Sequence, residues 1–204
     1  MPVWKLLLWT IEKTSFRLLM KGKSIKGLIL MGGQSTRMGS DKAFVQWQGQ
    51  TLLEKAIDHL SGITEDIYLS VNAEQYDLLH DEYACIQDRY PDKGPLGGIL
   101  SALEILKEDL IVLAVDMPNL SAACVKDLIG ASKDSSTITC YQYKQAIQPF
   151  PSYWPVQLLP KLEQTVLNNH LAMIKFIVAQ QPNLIPASDS DLFNNFNRPD
   201  DLIE

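Results

Sequence analysis

From residue 25 onward, short apolar runs rich in β-branched residues alternate with segments whose apolar positions recur at helical spacing. Such alternation is typical of a mostly parallel sheet covered by helices. The pattern predicts strands at residues 25–30, 66–71, 84–87 and 110–115, and helices at 51–61, 74–81, 96–107 and after an N-cap at Ser121. We therefore expect a three-layer α/β/α, Rossmann-like protein built on one sheet.

Beyond Lys133 the pattern becomes irregular, and Pro149, Pro151 and Pro155 interrupt the segment that follows a second short strand. This part of the chain predicts strands at residues 137–141, 146–150 and 183–185, helices at 158–168 and 171–180, and a helical turn from Pro199. We expect one sheet with a C-terminal elaboration. Its ligand crevice should lie at the carboxyl ends of the parallel strands.

Residues 1–24 precede this pattern, and their longest apolar run, residues 6–9, is far shorter than the roughly 20 residues of a membrane span. A signal peptide is also disfavoured, because charges follow at Glu12, Lys13 and Arg17 without a small-residue cleavage site. An interfacial amphipathic helix, a packing appendage and translated sequence upstream of a start at Met20 remain open. We favour a dispensable extension, with residues 25–204 as a single domain.

Composition narrows the class of protein. The 204 residues are 46% hydrophobic, and 18 Lys and Arg against 24 Asp and Glu leave a formal charge of −6. Disorder and collagen-like repeats are excluded, and nucleic-acid binding is disfavoured because it needs a basic surplus. Cys85, Cys124 and Cys140 are too widely spaced for a zinc site or a disulfide framework. They suit a reducing compartment, so we expect a cytoplasmic protein.

The most informative segment is residues 30–42, LMGGQSTRMGSDK, which directly follows the first predicted strand. Adjacent glycines at Gly32 and Gly33 allow several backbone N–H groups to converge on an anion, and Arg37 and Lys42 add positive charge. That combination suits a nucleoside triphosphate. The spacing fits neither the P-loop pattern nor GxGxxG, which disfavours ATPases and dinucleotide-dependent oxidoreductases.

With these residues the chain resembles the molybdenum cofactor guanylyltransferases, MobA-like nucleotidyltransferases of the nucleotide-diphospho-sugar transferase type. Their fingerprint reads approximately LAGGxSxRMGxDK, and Met31 stands here where alanine is usual. Further matching landmarks follow along the chain, and they are Asn72, Asp88, GPLGG at residues 94–98, Asp116-Met117-Pro118, Asn195-Phe196-Asn197, Pro199 and Asp201. The resemblance covers about residues 25–204. A chance recurrence of this ordered set is improbable.

The resemblance implies transfer of GMP from GTP to molybdopterin, with or without bound molybdenum, and release of pyrophosphate. It implies nucleotide binding by Leu30, Met31, Gly32, Gly33, Lys42, Asn72, Asp88 and Asp116. Asp116 would also coordinate Mg²⁺, and the catalytic residues would be Arg37, Lys42 and Asp116. Other cofactor-biosynthesis proteins and acceptor molybdoenzymes are the expected protein partners.

The residues themselves leave alternatives open. Lys42 could be a surface lysine or pair with Asp41, Arg37 could brace its loop, and Asp88 or Asp116 could cap a turn. Residues 94–98 could admit a substrate to a helix N-terminus or be a tight helix start. For the whole protein the alternatives are a CTP-dependent molybdopterin cytidylyltransferase, a sugar-phosphate nucleotidyltransferase and a non-catalytic nucleotide-binding module.

Overall fold

A computed structural model describes residues 24–32, 42–64, 66–132 and 136–193 of the chain. The strands are β1 (Ile25–Leu30), β2 (Gln46–Trp47), β3 (Gln50–Thr51), β4 (Ile67–Val71), β5 (Cys85–Gln87), β6 (Asp109–Ala114), β7 (Thr139–Tyr143), β8 (Ala146–Trp154) and β9 (Asn183–Ala187). The helices are α1 (Leu52–Ser61), α2 (Ala73–Leu79), α3 (Gly94–Leu106), α4 (Ala122–Ser132), α5 (Leu159–Leu167) and α6 (Met173–Ala179). Short 3₁₀ turns occupy Lys42–Phe44, Val156–Leu158 and Asp191–Phe193.

Seven strands form one sheet in the order β5-β4-β1-β6-β8-β7-β9. Every neighbouring pair is parallel except the two pairs that β8 makes, with β6 and with β7. From β1 the chain runs outward through β4 to β5 and then crosses to β6 on the other side of β1. The strand order therefore reverses between β1 and β6, which is where ligands bind in open α/β sheets.

The sheet is buried on both faces, which explains the nearly continuous apolar runs of its central strands. Ile29 of β1 packs with α1 and α4 on one face, and its neighbours Leu28 and Leu30 pack with α3, α5 and α6 on the other. In β6, residues 110–113 are all fully buried and alternate between the same two cores. The expected three-layer α/β/α architecture with a mostly parallel sheet is confirmed.

Most predicted helices and strands are present, and their ends lie within a few residues of the predicted ones. One prediction, the strand that became β8, was too short. The predicted strand 146–150 continues to Trp154, through two prolines, and lies inside the sheet. The ladder explains this, because Ser152 pairs with Cys140 whereas Gln148 pairs with Tyr141. Residues 149–151 fall in the register shift and in neither ladder, so the N–H groups missing from Pro149 and Pro151 cost no sheet hydrogen bond.

One small hairpin was not predicted, and two predicted segments lie at the ends of the chain. The β2–β3 hairpin turns at Gln48 and Gly49, both with positive φ, and was not predicted. The expected turn from Pro199 and residues 1–23 of the expected extension lie outside the described residues. Within the described part of the chain, no helix has the length and apolar character needed to cross a membrane.

Candidate active site

The carboxyl ends of β4, β1 and β6 are held in register beyond the last residues of the strands. Leu30 pairs with Ser70 of β4 and with Ala114 of β6. The Met31 N–H donates to the Ser70 carbonyl at 3.2 Å, and the Val115 N–H donates to the Leu30 carbonyl at 3.1 Å. The residues two positions past these pairs therefore emerge side by side at one edge of the sheet.

Four of the predicted site residues form a row along this edge. Gly32, Asn72 and Asp116 each follow a registered position by two residues, and Asp88 lies beyond Asn72 because Val71 pairs with Gln87. The Asp88 N–H continues that ladder by donating to the Val71 carbonyl at 2.8 Å. With strands about 4.8 Å apart, the row from Asp88 to Asp116 spans about 14 Å. It can lie along an extended ligand.

Leu30 and Met31 contribute backbone groups to this edge. Both side chains are buried, at 7% and 1% exposed, and they pack into opposite cores. Met31, which departs from the usual alanine, therefore adds its volume to the core rather than to the ligand side. Gly32 has φ +93°, and no atom of the described residues outside its chain neighbours lies within 4 Å of where its Cβ would be. Among the described residues, backbone conformation rather than crowding therefore explains the glycine.

Lys42 and Asp116, separated by 74 residues, are in direct contact. The Lys42 Nζ lies 2.9 Å from Asp116 Oδ2, and the two side chains are 13% and 19% exposed. The other oxygen of Asp116, Oδ1, is buried without a hydrogen-bond partner among the described residues. No backbone N–H of the described residues caps this carboxylate, so the turn-cap alternative for Asp116 is not supported.

Asp116 has the donor chemistry of a hard-cation ligand. A buried carboxylate oxygen without a protein partner is costly unless a ligand satisfies it. The described ranges contain no group of three or more His, Cys, Asp or Glu side chains that could hold a metal ion. A site with one carboxylate suits Mg²⁺, which takes its remaining ligands from substrate phosphates and water. The residues present therefore fit a metal ion that arrives with a phosphate-bearing substrate.

Asp88 has two oxygens with different surroundings. Oδ1 accepts hydrogen bonds from the Tyr90 N–H at 2.8 Å and from the Ser101 hydroxyl at 3.1 Å. Oδ2 accepts none from the described residues. Burial raises the pKa of the Asp88 carboxyl above its ordinary value, and the bonds from Tyr90 and Ser101 partly offset this. The turn-cap alternative thus accounts for Oδ1 and leaves Oδ2 available to a ligand.

Asn72 is the N-cap of α2. Its Oδ1 accepts from the Gln75 N–H at 2.8 Å, and the Gln75 side chain accepts in turn from the Asn72 N–H at 3.1 Å. This capping box explains why asparagine suits the position structurally. It also orients the side chain, so that the amide nitrogen of the exposed Asn72 is the group that a ligand would meet.

The glycines of residues 94–98 bring α3 close to the strand ends. A Cβ on Gly97 would lie 2.8 Å from the Tyr90 carbonyl oxygen and 3.3 Å from Asp88 Oδ2, and one on Gly98 would collide with Ser70 Oγ. Both glycines are buried within the helix, which begins at Gly94 with φ +59°. Close packing therefore explains Gly97 and Gly98, as the tight-helix-start alternative expected.

Sequence reasoning missed Ser101, which contacts Asp88 from α3. Ser101 is fully buried, and Glu104 on the same helix face accepts a 2.6 Å hydrogen bond from the Tyr90 hydroxyl. That bond raises the pKa of Tyr90 to about 12. The signal in the sequence was the spacing of Gly97, Ser101 and Glu104, three small or polar residues on one face of an otherwise apolar helix.

Other predicted residues cannot be compared with the structure. Gly33 and Arg37, with the rest of the segment 33–41, lie outside the described residues, as do Asn195 and Asn197. Their roles remain predictions. The described part of the site consists of the Gly32, Asn72, Asp88 and Asp116 row with Lys42 beside it.

The chain matches the profile of the MobA-like NTP transferase domain over residues 27–183. It is 33% identical over 184 residues to the molybdenum cofactor guanylyltransferase of Xanthomonas euvesicatoria pv. vesicatoria, covering 85% of this chain and 90% of that protein. It is 29% identical over 183 residues to the probable molybdenum cofactor guanylyltransferase of Flavobacterium johnsoniae, covering 88% and 95%. These matches span nearly the whole length of both relatives.

Solved structures share the fold. Molybdopterin-guanine dinucleotide biosynthesis protein A from Archaeoglobus fulgidus superposes with a TM-score of 0.74 at 23% identity, covering 87% of this chain and 94% of that one. The 2-C-methyl-D-erythritol 4-phosphate cytidylyltransferase from Thermus thermophilus gives 0.64 at 14% identity, covering 86% and 94%. Proteins named for guanine and for cytidine nucleotides share this architecture, so the fold alone does not select the base.

Proposed function

The chain belongs to the MobA-like NTP transferase family, and from this premise we propose that it transfers GMP from GTP to molybdenum-bound molybdopterin, releasing pyrophosphate. The observation that carries the proposal is the row of Gly32, Asn72, Asp88 and Asp116 with Lys42 in contact with Asp116. Five residues expected to bind the nucleotide, drawn from separate segments of the chain, lie together at the reversal of strand order.

The row supports one orientation of the nucleotide in this proposal. We place the phosphates at the Gly32 and Asp116 end, where no described side chain crowds Gly32 and Lys42 supplies positive charge. We place the base at the Asp88 end. There, a carboxylate oxygen without a described partner can accept a hydrogen bond from guanine N1–H or from its amino group. Asn72 lies between them and can donate its amide N–H to the sugar or to a phosphate. The whole row thus matches one extended nucleotide.

In the reaction, an oxygen of the terminal phosphate of molybdopterin attacks the α-phosphorus of GTP. The bond from that phosphorus to the oxygen bridging the α and β phosphates breaks, and pyrophosphate leaves with the bonding electrons. The attacking oxygen is already ionised, so no general base is required. Catalysis then rests on positioning and on neutralising the developing negative charge.

Charge neutralisation falls to the residues at the Gly32 end. We assign Lys42 to the phosphates, and Arg37 and the Gly32 and Gly33 amides to the departing pyrophosphate. Asp116 would hold the metal ion, which we propose to be Mg²⁺ and which supplies positive charge to the phosphate oxygens when it is bound. Because Lys42 and this cation favour the same carboxylate, Lys42 is expected to turn from Asp116 toward the phosphates when the substrate is in place.

The test is an assay of pyrophosphate release with Mg²⁺, either GTP or CTP, and either molybdenum-bound molybdopterin or a sugar phosphate as the acceptor, with the product identified by mass spectrometry. We expect the guanine dinucleotide. A preference for CTP would instead make the protein a molybdopterin cytidylyltransferase. Transfer to the sugar phosphate would make it a sugar-phosphate nucleotidyltransferase. GTP binding without pyrophosphate release would indicate a non-catalytic nucleotide-binding module.

Two further assignments extend the proposal. We propose that other cofactor-biosynthesis proteins or acceptor molybdoenzymes take up the product, which a pull-down with product-loaded enzyme tests. We also propose a cytoplasmic location, which cell fractionation tests. All three cysteines are free thiols, and this agrees with a reducing compartment.

A further inference from the structure

We infer that Ser101 is a positioning residue that fixes the Asp88 carboxylate so that Oδ2 alone faces the base, and that it thereby contributes to the selection of guanine. The inference rests on the proposed function, in which Asp88 reads the base. It adds a residue on α3 that no motif of the sequence singled out. Ser101 would act on the nucleotide only through Asp88.

The first support is the set of contacts that Ser101 makes. Its Oγ accepts a hydrogen bond from the Arg89 N–H at 2.9 Å and lies 3.1 Å from Asp88 Oδ1. It also lies 2.9 Å from the Gly97 carbonyl oxygen, one helical turn earlier. The single O–H of Ser101 has two acceptors in reach, and the ionised carboxylate is the stronger of them. Ser101 is therefore bonded both to the Asp88 side chain and to the backbone that follows it.

The second support is what these bonds do to the carboxylate. The terminal torsion of an aspartate is broad and roughly two-fold, so an unrestrained carboxylate exchanges its two oxygens easily. Here the Tyr90 N–H and the Ser101 hydroxyl both bond to Oδ1, which ties this oxygen to α3 and its preceding turn. Oδ2 is left on the side of Gly97, whose missing Cβ would lie 3.3 Å from it. One acceptor thus has a defined position.

A carboxylate oxygen in a defined position discriminates between bases. Guanine presents donors at N1 and at its 2-amino group, whereas adenine presents an acceptor at N1. A fixed acceptor therefore gains a charge-assisted hydrogen bond with guanine and faces a lone pair with adenine. A carboxylate that rotates freely retains its charge but incurs an ordering cost when it bonds to guanine, and it can turn away from adenine, so its preference for guanine weakens.

The experiment measures dissociation constants for GTP and for ATP, in the presence of Mg²⁺, by isothermal titration calorimetry. The variants are Ser101→Ala, Asp88→Asn and the double variant. Ser132→Ala is the matched control, because Ser132 is also buried and its hydroxyl also lies close to the carbonyl four residues earlier, that of Leu128, to which it donates at 2.6 Å. Ser132 lies on α4, on the other face of the sheet from α3.

We expect Ser101→Ala to lower the preference for GTP over ATP about tenfold, which is the effect of one hydrogen bond to a charged group. Ser132→Ala should leave the preference unchanged. In the Asp88→Asn background, Ser101→Ala should cause no further loss, since its effect passes through the carboxylate. If Ser101→Ala does not fold, Ser101→Cys keeps the side-chain volume with a weaker hydrogen bond, and the same loss in smaller degree is expected.

Three results would overturn the inference, and they are distinguishable. If Asp88→Asn loses the preference for GTP while both Ser101 variants keep it, Asp88 reads the base without help from Ser101, and the proposed function stands. If Asp88→Asn itself keeps the preference, then Asp88 does not read the base and the role given to Ser101 fails with it. An equal loss of preference in Ser101→Ala and Ser132→Ala would reduce the effect to general destabilisation and would also overturn the inference.

Discussion

Replacing Asp116 by asparagine separates its chemical role from its structural one. The substitution keeps the size of the side chain but removes the negative charge that pairs with Lys42 at 2.9 Å and that we assign to the metal ion. Both side chains are largely buried. The loss of folding stability should therefore lie between the small cost of breaking an exposed ion pair and the roughly 3–5 kcal/mol lost when a fully buried ion pair is broken. We expect a cost of about 1–3 kcal/mol, which for a chain of this size lowers Tm by roughly 2–12 °C.

The effect on turnover should be much larger than this stability loss. Charge stabilisation by a metal ion contributes several kcal/mol to a transition state, and about 4 kcal/mol corresponds to roughly a thousandfold in rate. We therefore expect pyrophosphate release by Asp116→Asn to fall about a thousandfold under saturating GTP, at a temperature where calorimetry shows the variant to be folded. The measurement is a coupled pyrophosphate assay over a range of Mg²⁺ concentrations.

Asp109→Asn is the matched control, because Asp109 lies at the opposite end of the same strand, β6. Its carboxylate is 6% exposed and accepts the Tyr153 hydroxyl at 2.7 Å and the Val156 N–H at 2.8 Å. An amide cannot accept both bonds equally well, so this variant should lose about 1–3 kcal/mol of stability while its folded fraction turns over normally. The role assigned to Asp116 is wrong if Asp116→Asn keeps its turnover within about tenfold of that of the unchanged protein. It is also wrong if Asp109→Asn loses as much turnover as Asp116→Asn.

Three further predictions concern the surroundings of the site. Gly97→Ala should lose about 1–3 kcal/mol of stability, because the new Cβ meets the Tyr90 carbonyl at 2.8 Å. Gly130→Ala, where a Cβ has no described atom within 4 Å, should be neutral or should stabilise the protein by up to about 1 kcal/mol, and chemical denaturation measures both. Asn72→Ala and Thr51→Ala should each lower the stability of the protein by about 1 kcal/mol, because each removes a capping box at a helix N-terminus. Only Asn72→Ala should also weaken GTP binding, as measured by titration. The pKa of Asp88 is raised in the folded protein, so ionisation of this carboxyl opposes folding. The stability of the unchanged protein relative to Asp88→Asn should therefore decrease as the pH rises through that pKa. Denaturation curves of both proteins from acid to neutral pH measure this, and a constant difference in stability between them would contradict it.

Sequence periodicity was sufficient for the order and type of most elements, because each segment records its own burial. The apolar run that became β6 has the length and composition of a strand buried on both faces, and the helical spacing that became α1 marks one apolar face. The residues directly after the strands, such as Asp88 and Asp116, could be named for the same reason. Polar groups at the carboxyl end of a buried strand stand out in the sequence as soon as the strand is recognised.

Tertiary structure decided which of these residues meet. Periodicity within a segment says nothing about its neighbours in the sheet, so the placement of β1 between β4 and β6, which aligns Gly32, Asn72 and Asp116, follows only from the crossovers and the hydrogen-bond register. The course of β8 past its prolines likewise depends on a register shift in its pairing with β7. The contact of Ser101 with Asp88 depends on how closely two glycines allow α3 to approach.

The sequence by itself thus determined the alternating elements, the fold class and the candidate residues of the site, because local burial and motif spacing are encoded along the chain. The structure alone decided that Lys42 pairs with Asp116 across 74 residues and that Asp88 has one oxygen occupied and one available. The physical reason is that these properties belong to pairs of residues from distant segments. Their free energies depend on distance, orientation and shared burial, which exist only once the sheet and its helices have packed.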